Sequence, residues 1–163
     1  MRRTREAGGE LTQAPQDLID RLGLAPHPEG GWYRETHRSA TVDATGRGLC
    51  TSILFLLEHP HVSHLHRLDA EELWYWHAGQ ALDVQVILPD GRHETRHLGP
   101  GGDFQTVIPV GAWFGAELPA PGSWALVGCA VAPAFEFSGF EMADAAEMTA
   151  RFPHLRETIQ RLT

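Results

Sequence analysis

The chain has 163 residues with 13 basic against 21 acidic side chains, a formal charge of −8. That is the length of one domain, and the acidic balance excludes nucleic acid and anionic membrane surfaces, which need cationic patches to displace their counterions. Hydrophobic residues make up 42% and charged residues 21%, with 17 Gly and 11 Pro, the balance of a turn-rich globular protein rather than a disordered one.

All the basic residues are Arg; Lys and Asn are absent, which reads as the codon bias of a GC-rich, bacterial genome and removes Lys Schiff-base chemistry. Cys50 and Cys129 each sit in an apolar stretch, as buried reduced thiols do, and Cys129 is expected to be inert. No apolar run reaches the roughly 18 residues of a membrane span, so a cytoplasmic protein is expected.

In chain order, residues 1–10 read as a flexible polar lead and 11–163 as a single domain. The spacing of Leu11, Leu18, Ile19 and Leu22 predicts a short helix over Leu11–Leu24, with Pro15 near its start and Gly23 at its end. HPEGGWYRET (27–36) then leaves the helix as an extended segment. From there the period is two. Leu49–Leu57 is an apolar strand; Leu82, Val84, Val86 and Leu88 alternate with Asp83, Gln85 and Ile87 before a Pro89-Asp90-Gly91 turn. Further strands are predicted at Glu72–His77, Arg92–His97, Phe104–Pro109, Trp124–Val131 and Phe135–Phe140. Asp144 with Glu147 forms a helix-start signature, and Pro153 opens a last helix carrying Leu155, Ile159 and Leu162. Short strands at this spacing predict an all-β sandwich or barrel with short terminal helices.

Two imidazoles stand out. His64 and His66 are two apart, so on a regular strand they leave the same face. Beyond the turn at 67–70, Glu72 shares a strand face with Trp74 and Trp76. Two His and one carboxylate can hold Fe(II), Mn, Ni or Zn and leave positions open for substrate or oxygen; alternatively the two His are plain strand-end residues bonded to backbone or water.

HLHRLDAEE, running on to Gly79, resembles the first motif of the cupin superfamily, although five residues separate His66 from Glu72. Glu71 would shorten that spacing and spoil the one to Gly79, so either Glu can be the inward one. Residues 102–114, GDFQTVIPVGAWF, resemble the second cupin motif with Phe114 where the fourth metal ligand would stand. HPEGGWYRET, SHLHRLDAEELW, IPVGAW and GCAVAPAFEF together resemble, in their order, the single-domain family Cupin_5. The resemblance implies a jelly-roll barrel, usually dimeric, around a small-molecule cavity.

Tyr33 and Tyr75 are the candidate proton donors beside Glu72. Arg34 is a candidate clamp for a substrate acid group, Gln105 a candidate polar lining group, and Trp74, Trp76, Trp113 and Phe114 candidate cavity walls. Glu29 and Glu35 read as turn residues in surface ion pairs, and His77 as structural. The expected function is an Fe(II)-type oxygenase of a small chelating metabolite, with His64, His66 and Glu72 on the metal. The alternatives are a metal-free isomerase or epimerase of a sugar or keto compound, and a non-catalytic small-molecule-binding module. A homodimer is expected because small barrels leave sheet edges open.

Overall fold

The computed structural model describes residues 15–163, so the polar lead and the expected helix start at Leu11 lie outside the described residues. The first helix, α1, is Pro15–Leu22. The strands follow as β1 (Ala25–Pro26), β2 (Trp32–Arg38), β3 (Thr51–Glu58), β4 (Ser63–Leu68), β5 (Glu71–Gly79) and β6 (Leu82–Ile87). After these come β7 (His93–Leu98), β8 (Gln105–Ile108), β9 (Trp113–Glu117), β10 (Trp124–Ala132) and β11 (Phe140–Met142), then helices α2 (Ala145–Arg151) and α3 (Arg156–Leu162).

The strands form two antiparallel layers, a six-stranded sheet in the order β1-β2-β3-β10-β5-β8 and a five-stranded sheet in the order β11-β4-β9-β6-β7. This is the expected all-β barrel with short helices at its ends. Side chains alternate on each strand, so one face of each sheet turns inward: Phe55, Leu57, Trp74, Val127, Leu82, Val84, Val86 and Phe114 fill the space between the layers. At about 25 cal/mol per Å² of apolar surface removed from water, this shared interior is the main favourable contribution to folding.

The outer faces are covered selectively. Leu18 and Ile19 of α1 pack on Leu56 and Leu126 of the six-stranded sheet. Met148 of α2, with Ile159 and Leu162 of α3, packs on Leu65, Ile87 and Trp113, so the five-stranded sheet is buried on both sides where these residues stand. That is why Ile87, on the polar side of the β6 alternation, is nonetheless apolar. Arg161 of α3 clamps Glu117 through two hydrogen bonds of 3.0 and 2.9 Å. Asp144 caps α2 by accepting from the Glu147 N–H at 2.8 Å, as its spacing indicated.

Two sequence expectations need correction. Phe135–Phe140 is not one strand: a 3₁₀ turn at Phe137–Gly139 interrupts it, and only Phe140–Met142 pairs, against β4. Pro133 and Gly139 at its ends disfavour a ladder, and the three Phe rings gather on one another at 5.1–6.2 Å instead of alternating. Trp113–Glu117 is a strand, β9, beyond the reach of the Phe104–Pro109 prediction. No helix among the described residues is long and apolar enough to cross a membrane.

The short link at Asp69-Ala70 carries the chain from the five-stranded sheet to the six-stranded one. Side chains turned inward just before and after it therefore face each other across the interior.

Candidate functional site

A cavity of about 290 Å³ opens between the sheets, and its lining includes His27, Glu29, Tyr33, His66, Glu72 and Cys129. Its mouth is formed by Glu35 and Arg38 on one side and Phe135, Glu136, Phe137 and Phe140 on the other.

How β4 serves this cavity depends on a bulge. Ser63 pairs with Ala116 and His66 with Phe114, so three steps on β4 match two on β9 and one extra residue is accommodated. The inward parity therefore changes along the strand: Ser63, His66 and Leu68 face the interior, whereas Leu65 joins the cluster under the C-terminal helices. His64 and His66 consequently do not share a face. His64 turns to the loop before β2, where both its backbone N–H (2.7 Å) and its Nδ1 (2.7 Å) meet the Glu29 carbonyl. It anchors the loop that delivers Glu29.

That loop, HPEGG, is tightly seated. Gly30 and Gly31 have φ of 101° and 72°, and a side chain on Gly30 would run into the Val62 carbonyl and the His64 ring. Close seating lets the Glu29 carboxyl enter the interior. Its Oε1 accepts from Ser63 Oγ at 2.9 Å, and its Oε2 lies 3.1 Å from His66 Nε2 and 3.7 Å from His27 Nδ1.

The proton inventory follows from these contacts. His66 Nδ1 is 2.6 Å from the His64 carbonyl, which only accepts, so Nδ1 carries a hydrogen. Burial pushes the His66 pKa down to about 4, so the ring is neutral and Nε2 is a lone pair. Burial also raises Glu29, and because Oε2 and the neutral His66 Nε2 would otherwise present lone pairs to each other at 3.1 Å, one hydrogen is shared between them. His27 Nδ1 accepts the Glu29 backbone N–H at 3.2 Å, and burial lowers its pKa, which leaves Nε2–H as its donor.

Across the cavity stands Glu72, 7% exposed, with its neighbour Glu71 turned to solvent. Burial first, and then the nearby Glu29, push its pKa up to about 8; the Cys129 thiol opposes this more weakly. Cys129 itself is pushed well up by burial and the adjacent carboxyls, which makes it a protonated, unreactive thiol. Near neutral pH Glu72 thus holds its proton and His66 is a neutral imidazole, so an un-ionised carboxyl stands opposite the Glu29–His66 pair.

Of the sequence candidates, Tyr33, His66 and Glu72 reach the cavity. Phe114 packs its ring on His66 with centroids 4.1 Å apart and does not line it. Trp74 lies behind it between Phe55 and Phe114, its Nε1 buried without a hydrogen-bond partner. Trp76 meets Phe104 and the Gln80 carbonyl. Trp113 faces the C-terminal helices under Arg67. Tyr75 and Gln105 pair with each other on the outer face, where Gln105 is exposed, because Thr106 and Ile108 take the inward parity of β8. Arg34 is exposed on the outer face of β2; beyond it, a bulge between Glu35 and His37 brings Arg38 to the cavity in place of His37.

Sequence reasoning did not single out His27 or Arg38, and it read Glu29 as a surface turn residue. The available signal was His27 and Glu29 two apart, immediately before two consecutive glycines.

The sequence of residues 16–143 matches the profile of Cupin_5, described as a cupin superfamily family, DUF985. The chain belongs to the Cupin_5 family. The Shewanella oneidensis protein SO0799 is 40% identical, with 93% of this chain and 98% of that one aligned at a TM-score of 0.88. A hypothetical protein from Leishmania major is 33% identical over 91% and 97% of the two chains, with a TM-score of 0.84. Oxalate decarboxylase from Bacillus subtilis shares the cupin fold at 17% identity and a TM-score of 0.55, over 85% of this chain and 36% of that one. A search among curated proteins finds no match.

The fold allows a metal, but the residues expected to hold one do not fit it. His64 turns away from the cavity and is not part of its lining, and His66 Nε2 is engaged by Glu29. Among the described residues no group of three or more His, Cys, Asp or Glu side chains is arranged to hold a metal ion.

Proposed function

We propose that this cupin is an acid–base isomerase or epimerase of a small carbonyl compound. The observation that carries the reading is the pair of proton-exchanging centres flanking one cavity, Glu72 from the six-stranded sheet and Glu29–His66 opposite it. Catalytic acids and bases work best with a pKa near the working pH, and Glu72, at about 8, has such a value.

In this reading a substrate lies between the two centres with its carbonyl oxygen toward Glu72. The proton on the adjacent carbon passes to Glu29, and the proton Glu29 already shares moves to His66 Nε2. Glu72 donates its own proton to the carbonyl oxygen. The C–H electron pair becomes the enol double bond, His66 gains one positive charge and Glu72 one negative, so net charge is conserved. Return of a proton to the other face or the other carbon completes epimerisation or isomerisation. Tyr33, whose ring borders His27 at 4.4 Å, walls the chamber beside the relay.

Purified protein in D2O is expected to wash deuterium into the α-position of a keto or aldose compound within a small panel, read by NMR and unaffected by chelators. Chelator-sensitive oxygen uptake by iron-loaded protein, without exchange, would sink this reading and restore the oxygenase. We also propose a homodimer, supported by the open edges at β1 and β8 of the six-stranded sheet. Sedimentation equilibrium at micromolar concentration is expected to give twice the chain mass, and the chain mass alone would refute it.

A further inference from the structure

We propose that Arg38 selects the substrate, and that the substrate is a singly charged carboxylate with an apolar side chain, a 2-oxo acid of aromatic or branched type. The inference deepens the acid–base reading of the same cavity and rests on it for the position of the carbonyl. Arg38 is the cation in the lining of this chamber. Its Nε and Nη2 donate to Glu35 at 3.1 and 2.8 Å, and Nη1 donates to the Phe135 carbonyl at 3.2 Å.

A guanidinium carries five N–H groups, so these contacts leave two, one on each Nη, without a protein partner among the described residues. Glu35 takes one edge of the half-exposed guanidinium and leaves the remaining donors to an anion.

The neighbouring charges narrow the anion. Glu35 and Glu136 both act on Arg38, so the mouth carries two negative charges around one positive. A monoanionic carboxylate can exploit the directed N–H groups there, whereas a phosphate dianion meets like-charge repulsion from both acids. The rest of the mouth is aromatic: Phe135, Phe137 and Phe140 form a mutually packed wall, and Phe137 is 64% exposed. Solvent-facing rings beside a charged clamp suit a ligand with one acid end and one apolar face. A 2-oxo acid carries its carbonyl directly beside the carboxylate, so an acid end held by Arg38 brings the carbonyl to the chamber that Glu72 and Glu29 line.

The test uses phenylpyruvate, its methyl ester and phenyl phosphate, titrated calorimetrically into the full chain at pH 7. Phenylpyruvate is expected to bind at least about tenfold more tightly than either of the others. Arg38→Met should erase that preference with an unchanged melting temperature; Arg38→Lys, which keeps the charge without the planar fork, should fall between. Arg34→Met, on the outer face, should leave binding as it is.

Equal affinity for acid and ester, no binding of phenylpyruvate, or undiminished binding by Arg38→Met overturns the proposal. Deuterium exchange is scored separately on the same compounds. Arg38-dependent binding without exchange refutes the proton-transfer reading and leaves the selectivity intact, while exchange without acid preference does the opposite.

Discussion

Glu72→Gln is expected to remove most of the loss of stability expected of the wild-type protein between pH 6.5 and 8, and to cut proton exchange by about 10²–10⁴-fold. Glu72 has a pKa of about 8 in the folded state against 4.5 for a free carboxyl. Below 4.5 both states hold the proton, and its full stabilising contribution is present. Between those values the unfolded chain gives up a proton that the folded chain retains, so stability falls by about 1.4 kcal/mol for each pH unit.

His66 acts in the other direction: with a folded pKa of about 4 against 6.5, it costs stability only as pH drops below 6.5. The two slopes oppose each other on the acid side, and above 6.5 Glu72 is unopposed. From pH 6.5 to 8 the wild type should therefore lose on the order of 2 kcal/mol, or about 4–8 °C in Tm for a chain of this size. Gln has no proton to lose, so the variant's profile should be much flatter over that interval and cross above the wild type near pH 8. Urea unfolding at a series of pH values reads this directly. Parallel profiles would mean that the folded protein keeps Glu72 ionised, and the acid role would fall with it.

The period-two pattern made the barrel legible because side-chain alternation is a direct consequence of strand geometry, and β3, β5, β6, β7, β8 and β10 all lie where that pattern ran. Glu72 was legible for the same reason, since β5 is regular from Glu72 to Trp76. The rest of the site depended on places where alternation fails. A bulge on β4 separated His64 from His66, and a second on β2, beyond Arg34, turned Arg38 inward in place of His37; neither leaves a mark in local residue preference. Gln105 fell to the outer face because β8 lies one step out of the phase assumed for it.

Glu29 was illegible for a different reason. A carboxyl in a Gly-rich turn is ordinarily solvated, and only the packing of that turn against Val62 and His64 carries it inside. The HisXHis spacing that suggests a metal pair is accordingly reused here: one imidazole holds the loop, and the other shares a proton with the carboxyl the loop delivers.

That division of labour gives Glu29 a dual role, which two substitutions can separate. Glu29→Ala leaves Ser63 Oγ and His66 Nε2 facing the chamber without their partner, and each buried polar group so stranded costs about 1–3 kcal/mol. It also removes the nearby carboxyl that helps hold Glu72 up, so the alkaline fall in stability should move to lower pH.

Glu29→Gln has nearly the same shape: its amide can donate to His66 Nε2 while its carbonyl accepts from Ser63. Stability should stay within about 1 kcal/mol of wild type. The amide cannot relay a proton, however, so deuterium exchange should drop by about 10²-fold or more in both variants. His64→Ala, which removes the side-chain anchor of the loop and keeps the backbone one, should give a smaller loss of exchange, because Glu29 is then held less firmly. Exchange at wild-type rates in Glu29→Gln would remove Glu29 from the relay and leave it as the structural partner of His66 alone.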